Sequence, residues 1–209
     1  MSSDARDKQT LIDWGVAAQP LPGQAVSGDL HLVQPFEHGV LLAVVDGVGH
    51  GNEATAAAQA AIAILEKHAP ESVITLVERC HEALTKTRGA VMTLASLHTW
   101  EKTITWLGVG NVEGRLLRGD SNASHPAESV LLRSGLVGFQ LPALHASVLP
   151  VAPGDLLIFA TDGIHVGFAD EVNLGDKPQP IADHILSRHF KGNDDALVLV
   201  ARYLGVRHE

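Results

Sequence analysis

Val44-Val45-Asp46-Gly47-Val48-Gly49-His50-Gly51 is the stretch on which the reading of this chain turns. It closes a continuous apolar run, Val40 to Val45, of the kind that suits a strand buried on both faces. The run stops abruptly at Asp46-Gly47. Beyond the glycines, Glu53 to Lys67 is rich in alanine, with Ala54, Ala57, Ala58, Ala61, Ile62, Ile64 and Leu65 on one stripe. That spacing predicts a helix, with Asn52 as its N-cap. An apolar run bounded by a carboxylate occurs twice more. Leu156 to Ala160 ends at Thr161-Asp162-Gly163, and Asp194-Asp195 opens the run Ala196 to Tyr203. If these strands neighbour each other in a sheet, their Asp ends converge. Crowded carboxylates repel one another unless cations neutralise them. Mg²⁺ and Mn²⁺ choose oxygen ligands of this kind and keep several waters. The residues alone leave a plainer reading open. Asp-Gly is the commonest hairpin signal, and Asp194-Asp195 by itself reads as an exposed loop pair.

Outward from this stretch the pattern is mixed. Gly28 to Val33 alternates loosely and suits a strand. Pro70 suits the first turn of a second helix, whose apolar stripe is Val73, Leu76, Val77, Cys80 and Leu84, with Gly89 as its stop. Ala90 to Leu97 and Thr103 to Val109 read as a hairpin or meander that Glu113 to Leu117 and Val130 to Arg133 continue. Gly119 to Glu128 reads as a surface loop between strands. Ile181 to Phe190 reads as a helix. The order of elements favours a mostly antiparallel α+β domain with helices packed on sheets. The segment Leu136 to Val151, with Phe139, Leu141, Pro142 and Leu144, either covers the core or forms a lip for a protein substrate. Trp14 and Trp100 are expected to be packed.

The chain has 209 residues, which suits one domain over residues 1–209. Lys plus Arg number 15 and Asp plus Glu number 24, for a net charge of −9. This acidity argues against a general nucleic-acid binder and against docking on an acidic membrane. Met1 to Thr10 is polar and no apolar run approaches a membrane span, so a cytoplasmic protein is expected. The single cysteine, Cys80, permits no intrachain disulfide, and on its helical stripe it reads as core. No Gly-x₄-Gly-Lys-[Ser/Thr] loop occurs, and the histidines lack the spacing of a zinc site.

Four motifs together resemble a known family. Val26-Ser27-Gly28-Asp29, the Asp46-Gly47 stretch, Val151 to Ile164 and Gly192 to Val200 are similar, in that order, to the motifs of metal-dependent protein phosphatases of the PPM or type 2C family. They are most similar to its bacterial SpoIIE-type branch. Trp106 to Asn111 suits the middle strand of that pattern. The resemblance implies the family's central antiparallel β-sandwich flanked by helices on both faces (αββα), with a pair of helices on each. It implies Mn²⁺ or Mg²⁺, with two ions. Asp46 would bridge them, the Gly47 carbonyl would bind one, and Asp162 and Asp194 would complete the other. Asp29 would bind a metal or hold a metal-bound water, and Asp195 stands where relatives often have Asn.

The activity so implied is hydrolysis of phosphoserine or phosphothreonine in proteins, by in-line attack of a metal-activated water with no covalent phosphoenzyme. The chain's short length is similar to that of stressosome phosphatases, which implies phosphorylated STAS-domain regulators or a stressosome complex as partner. Two departures stand out. Gln24 lies where larger members carry a phosphate-gripping Arg, and Val48 lies where they carry a His. His50, two residues further on, is a candidate general acid, or it steadies the turn into the helix. The alternative to an enzyme is a catalytically weak phosphatase fold that binds a phosphoprotein partner.

Overall fold

A computed structural model describes residues 11–120, 123 and 125–205. The polar stretch Met1 to Thr10 and the Ser121-Asn122 pair of the expected loop lie outside the described residues. The elements in chain order are β1 (Ile12–Gln19), β2 (Asp29–Phe36), β3 (Gly39–Gly47), α1 (Asn52–Lys67), α2 (Val73–Leu84), β4 (Ala90–His98), β5 (Thr103–Val109), β6 (Glu113–Leu117), β7 (Ala127–Ser129), β8 (Leu132–Arg133), β9 (Ser147–Pro150), β10 (Leu156–Ala160), α3 (Pro178–His189) and β11 (Ala196–Tyr203). One sheet runs β1-β11-β10-β6-β7. The other runs β2-β3-β4-β5-β8, with β9 also pairing with β5. Every pairing is antiparallel except β5 with β8.

The apolar runs are buried on both faces because each divides its side chains between two layers. In β3, Leu41, Ala43 and Val45 pack under α1 and α2, while Val40, Leu42 and Val44 face the other sheet. In β10, Leu157 and Phe159 face between the sheets, while Leu156, Ile158 and Ala160 meet α3. β11 divides in the same way, with Leu197, Leu199 and Ala201 inward and Val198 and Val200 toward α3. The layers are therefore helix, sheet, sheet, helix, as the αββα expectation requires. The outer layers differ from that expectation in number. Among the described residues two helices cover one sheet and one covers the other.

Other expectations are corrected. Asn52 is the first helical residue and not the cap. The chain enters α1 through Gly51, whose φ of 74° is left-handed, and no side chain caps that end. Pro70 precedes the N-cap of α2, which is Ser72, whose hydroxyl accepts from the Thr75 N–H at 3.1 Å. α2 ends at Leu84, so Gly89 leads into β4 and does not stop the helix. The meander ends at β5, since β6 crosses to pair with β10 in the other sheet. The Val130–Arg133 strand shrinks to the two residues of β8, and part of the expected surface loop is the edge strand β7.

β1 and β9 were not expected. β1 is an edge strand whose alternation is blurred by Gly15 and Ala18, and Gly15 lies against α3, where a Cβ would come within 2.3 Å of the Gln179 Cα. Val137, Leu141 and Leu144 belong to the core, whereas Phe139 is exposed. Trp14 and Trp100 are not packed. They are 43% and 78% exposed, Trp100 meeting only an edge of His38 at 4.9 Å among rings. Cys80 is fully buried, its thiol pushed up to about 12 by burial, which removes it from nucleophilic chemistry.

Candidate metal centre

The three carboxylate-bearing strands are not neighbours in one sheet. β3 lies in one sheet, and β10 and β11 lie side by side in the other. Their Asp ends meet because the sheets face each other, and the acids collect at one end of the sandwich. Asp29 and Asp46 are direct cross-strand partners of β2 and β3. Both share the inward face, in step with Val44 on β3. Like charges directly opposite on a sheet destabilise it. Asp29 is almost fully buried, and Asp46 and Asp162 are half-buried. The side-chain oxygens of Asp46 have no hydrogen-bond donor among the described residues.

The electrostatics carry the same message. Burial, with the carboxylates of Asp29, Asp162, Asp194 and Asp195 around it, pushes Asp46 up to about 9. Burial pushes Asp29 up to about 7, helped by Asp195, Asp162 and Asp194 and opposed by the Thr161 hydroxyl. Asp162 is raised by burial and by Asp194, and the Lys191 ammonium opposes this. All five acids read from the sequence as ligands or near-ligands thus lie together, with Asp29, Asp162, Asp194 and Asp195 each within electrostatic reach of Asp46.

Asp195 sits differently. It is buried, and both its oxygens are taken by backbone N–H groups, Leu21 at 2.7 Å and Gly28 at 2.6 Å. It ties the start of β11 to the strand lead-in that carries Asp29. Asp194 accepts the Asp195 N–H at 2.9 Å, and its charge raises Asp46 and Asp162.

Neither Asp-Gly is a two-residue hairpin. Gly47 and Gly163 have ordinary backbone angles, and what they supply is space. A Cβ on Gly47 would come within 2.1 Å of the Ala54 carbonyl of α1, and one on Gly163 within 2.0 Å of the Asp195 carbonyl. The small residues let α1 and the start of β11 close on the site. The Gly47 carbonyl lies beside Gly28, where a Cβ would approach it to 3.2 Å. His50 is exposed on the loop between β3 and α1. Its side chain has no hydrogen-bond partner among the described residues, and no side chain caps α1.

Three residues that sequence reasoning passed over complete the site. The Thr161 hydroxyl donates to Asp29 at 2.7 Å and accepts the Leu197 N–H at 2.8 Å, so it joins β10, β11 and β2. The Asn111 amide donates to Asp162 Oδ2 at 2.7 Å. The Lys191 ammonium donates to the Asp162 backbone carbonyl at 2.6 Å. Asn111 was visible within the Trp106–Asn111 motif but only as strand.

These groups fit a hard divalent cation. The donors are carboxylate and carbonyl oxygens, with no sulfur and no imidazole bonded to them. Among the described residues no three His, Cys, Asp or Glu side chains are already disposed as a ligand cage. Waters would therefore fill much of the coordination shell, which is the habit of Mg²⁺.

Comparison with known proteins finds a matching family and similar folds. Residues 37–204 match the SpoIIE family, described as Stage II sporulation protein E. The phosphoserine phosphatase RsbX of Bacillus subtilis (strain 168) is 26% identical over 144 residues, 69% of this chain and 70% of that protein. A chain from structural work on the bacterial stressosome, described as a modular system adapted to control secondary messenger signalling, superposes with a TM-score of 0.83. It is 29% identical and covers 91% of this chain and 99% of its own. The crystal structure of RsbX in complex with magnesium has a TM-score of 0.80 at 22% identity, covering 92% of this chain and 95% of that one, and shows likeness of fold.

Proposed function

The chain belongs to the SpoIIE family of PPM serine/threonine protein phosphatases, and from that premise we propose that it removes phosphate from serine or threonine of a phosphorylated STAS-domain regulator, of the kind a stressosome contains. The observation that carries the reading is the Asp29–Asp46 pair. Two carboxylates directly opposed on facing strands, joined by Asp162 and Asp194 from the other sheet, are tolerable at neutral pH once cations sit between them. Phosphatases of this family need divalent cations. Asp46, Asp162 and Asp194 would hold them together with the Gly47 carbonyl, and Asp29 would hold a cation or its water, with Mn²⁺ or Mg²⁺ and two ions as the proposed complement.

Bound there, the cations supply a water of lowered pKa and offset the charge of the phosphate. The chain's own residues do the rest. Thr161 and Asn111 fix the carboxylates of Asp29 and Asp162. Asp195 is occupied with backbone and is proposed as a positioning residue, not a ligand. In this reading a water attacks phosphorus in line with the departing serine oxygen, and His50, exposed on the loop that follows Asp46, is the proposed acid that returns a proton to that oxygen. Val26, Val48 and Val166 are exposed on the segments that carry the acids, and they are proposed to meet a folded protein substrate. Among the described residues no helix is long and apolar enough to cross a membrane.

The test is phosphate release from a phosphorylated STAS-domain protein, with and without Mn²⁺. The expected result is turnover that requires the cation and falls by roughly a hundredfold or more in Asp46→Ala. Turnover that persists in excess chelator, or survives that substitution, removes the metal mechanism. Turnover of other phosphoproteins, but not of STAS domains, removes the substrate class.

A further inference from the structure

The acidic end of the sandwich contains an ammonium that is not spent on a carboxylate. Lys191 donates from Nζ to the Asp162 backbone carbonyl at 2.6 Å, and its backbone N–H donates to the Gly163 carbonyl at 2.9 Å. These two bonds hold it between the end of β10 and the start of β11. Gly192, with a φ of 75°, then turns the chain into Asp194. Although its charge bears on the Asp162 carboxylate, Lys191 makes no close ion pair with any described carboxylate, and it is exposed. Arg88, which also reaches this end beside Gly49, is by contrast paired with Glu53 of α1. An ammonium has three donors and the carbonyl takes one, which leaves two for a ligand.

The charge arithmetic says what that ligand is. Four carboxylates with two divalent cations are close to neutral, so a loaded centre exerts little net pull on a phosphate of charge about −1.5 to −2. A fixed point charge at the mouth supplies it. We propose that Lys191 is a phosphate-binding residue of the site, contacting a non-bridging oxygen of the phosphoserine and then of the released phosphate. Its carbonyl bond to Asp162 sets where that charge stands. The inference rests on the phosphatase reading and deepens it.

The experiment compares the wild-type protein with Lys191→Met and Lys191→Arg, each loaded with Mn²⁺ and titrated calorimetrically with inorganic phosphate. Kinetics on a phosphoprotein run alongside. Lys191→Met is expected to weaken phosphate binding roughly tenfold or more. It should raise KM more than it lowers kcat and leave Mn²⁺ affinity unchanged, while Lys191→Arg recovers most of the loss. Equal phosphate affinity in wild type and Lys191→Met at saturating Mn²⁺ overturns the assignment. So does a defect wholly accounted for by weaker Mn²⁺ binding, which would make Lys191 a support for Asp162 alone. Failure of the phosphatase reading is separable. It would appear as a wild-type protein that binds Mn²⁺ and releases no phosphate from any phosphoprotein, while the phosphate titration still decides the role of Lys191.

Discussion

Asp162 is held from two sides, and the two contacts do different work. Asn111 reaches its carboxylate, and Lys191 reaches its carbonyl. A donor on Oδ2 fixes which lone pairs of the carboxylate face the centre, and outer partners of this kind typically govern metal affinity by roughly 10–100-fold. Asn111→Ala is therefore expected to weaken Mn²⁺ binding by about that factor, measured by titration, with kcat recovering at high Mn²⁺. Because the bond is exposed to solvent, the melting temperature of the metal-free protein should hardly move. A variant with unchanged Mn²⁺ affinity and depressed kcat would place Asn111 against the substrate instead. Asp46, Asp162 and Asp194 were legible in the sequence because each interrupts an apolar run at a strand end, and Asp29 only through the resemblance of Val26 to Asp29 to the family's motif. Asn111, Thr161 and Lys191 were not, since each earns its role only through a partner 29 to 132 positions away.

At the scale of elements, the glycines decide how tightly the site closes. Gly163 lets the end of β10 lie on the backbone of Asp195, and no left-handed angle is involved. Gly163→Ala forces that backbone apart, so a loss of roughly 1–3 kcal/mol is expected, the usual cost of overpacking. It can be read from chemical denaturation in the absence of metal. Because Asp162 and Asp195 flank the contact, activity should fall further than stability alone explains. A variant as stable as the wild type would show that β11 can shift without strain. The strands β3, β10 and β11 were legible because burial on both faces leaves continuous apolar runs. β1 was hidden because Gly15 and Ala17 serve its packing on α3 and, with Ala18 exposed beside them, blur the alternation. The crossing of β6 into the second sheet was hidden too, because period-2 alternation specifies a strand but not its partner.

Across the whole molecule, the acid surplus of nine divides into parts with different consequences. Asp155, at the far end of β10, is buried yet fully engaged by Arg118 and the N–H groups of Gly119 and Ala152. It needs no cation. Asp29 and Asp46 lie between the two sheets with, among the described residues, only Thr161 as a side-chain donor, to Asp29, and their pKa values rise from the ordinary 3.8 to about 7 and about 9. The folded, metal-free protein therefore holds protons that the unfolded chain has already released. The stability those protons represent is present in full below about pH 4, and it is lost as pH rises through 7 and then 9. In chelator, the melting temperature should accordingly fall steadily between pH 5 and 9. Saturating Mg²⁺ takes the place of the protons, so its stabilising shift should grow with pH and flatten the profile. Asp46→Asn removes one of the opposed charges. It should raise the melting temperature in chelator at pH 8, reduce the slope with pH, and shrink the response to Mg²⁺. A chelated protein whose melting temperature is flat or rises from pH 6 to 9, with no added response to Mg²⁺, would mean that the two sheets meet without the carboxylate repulsion on which the metal centre depends.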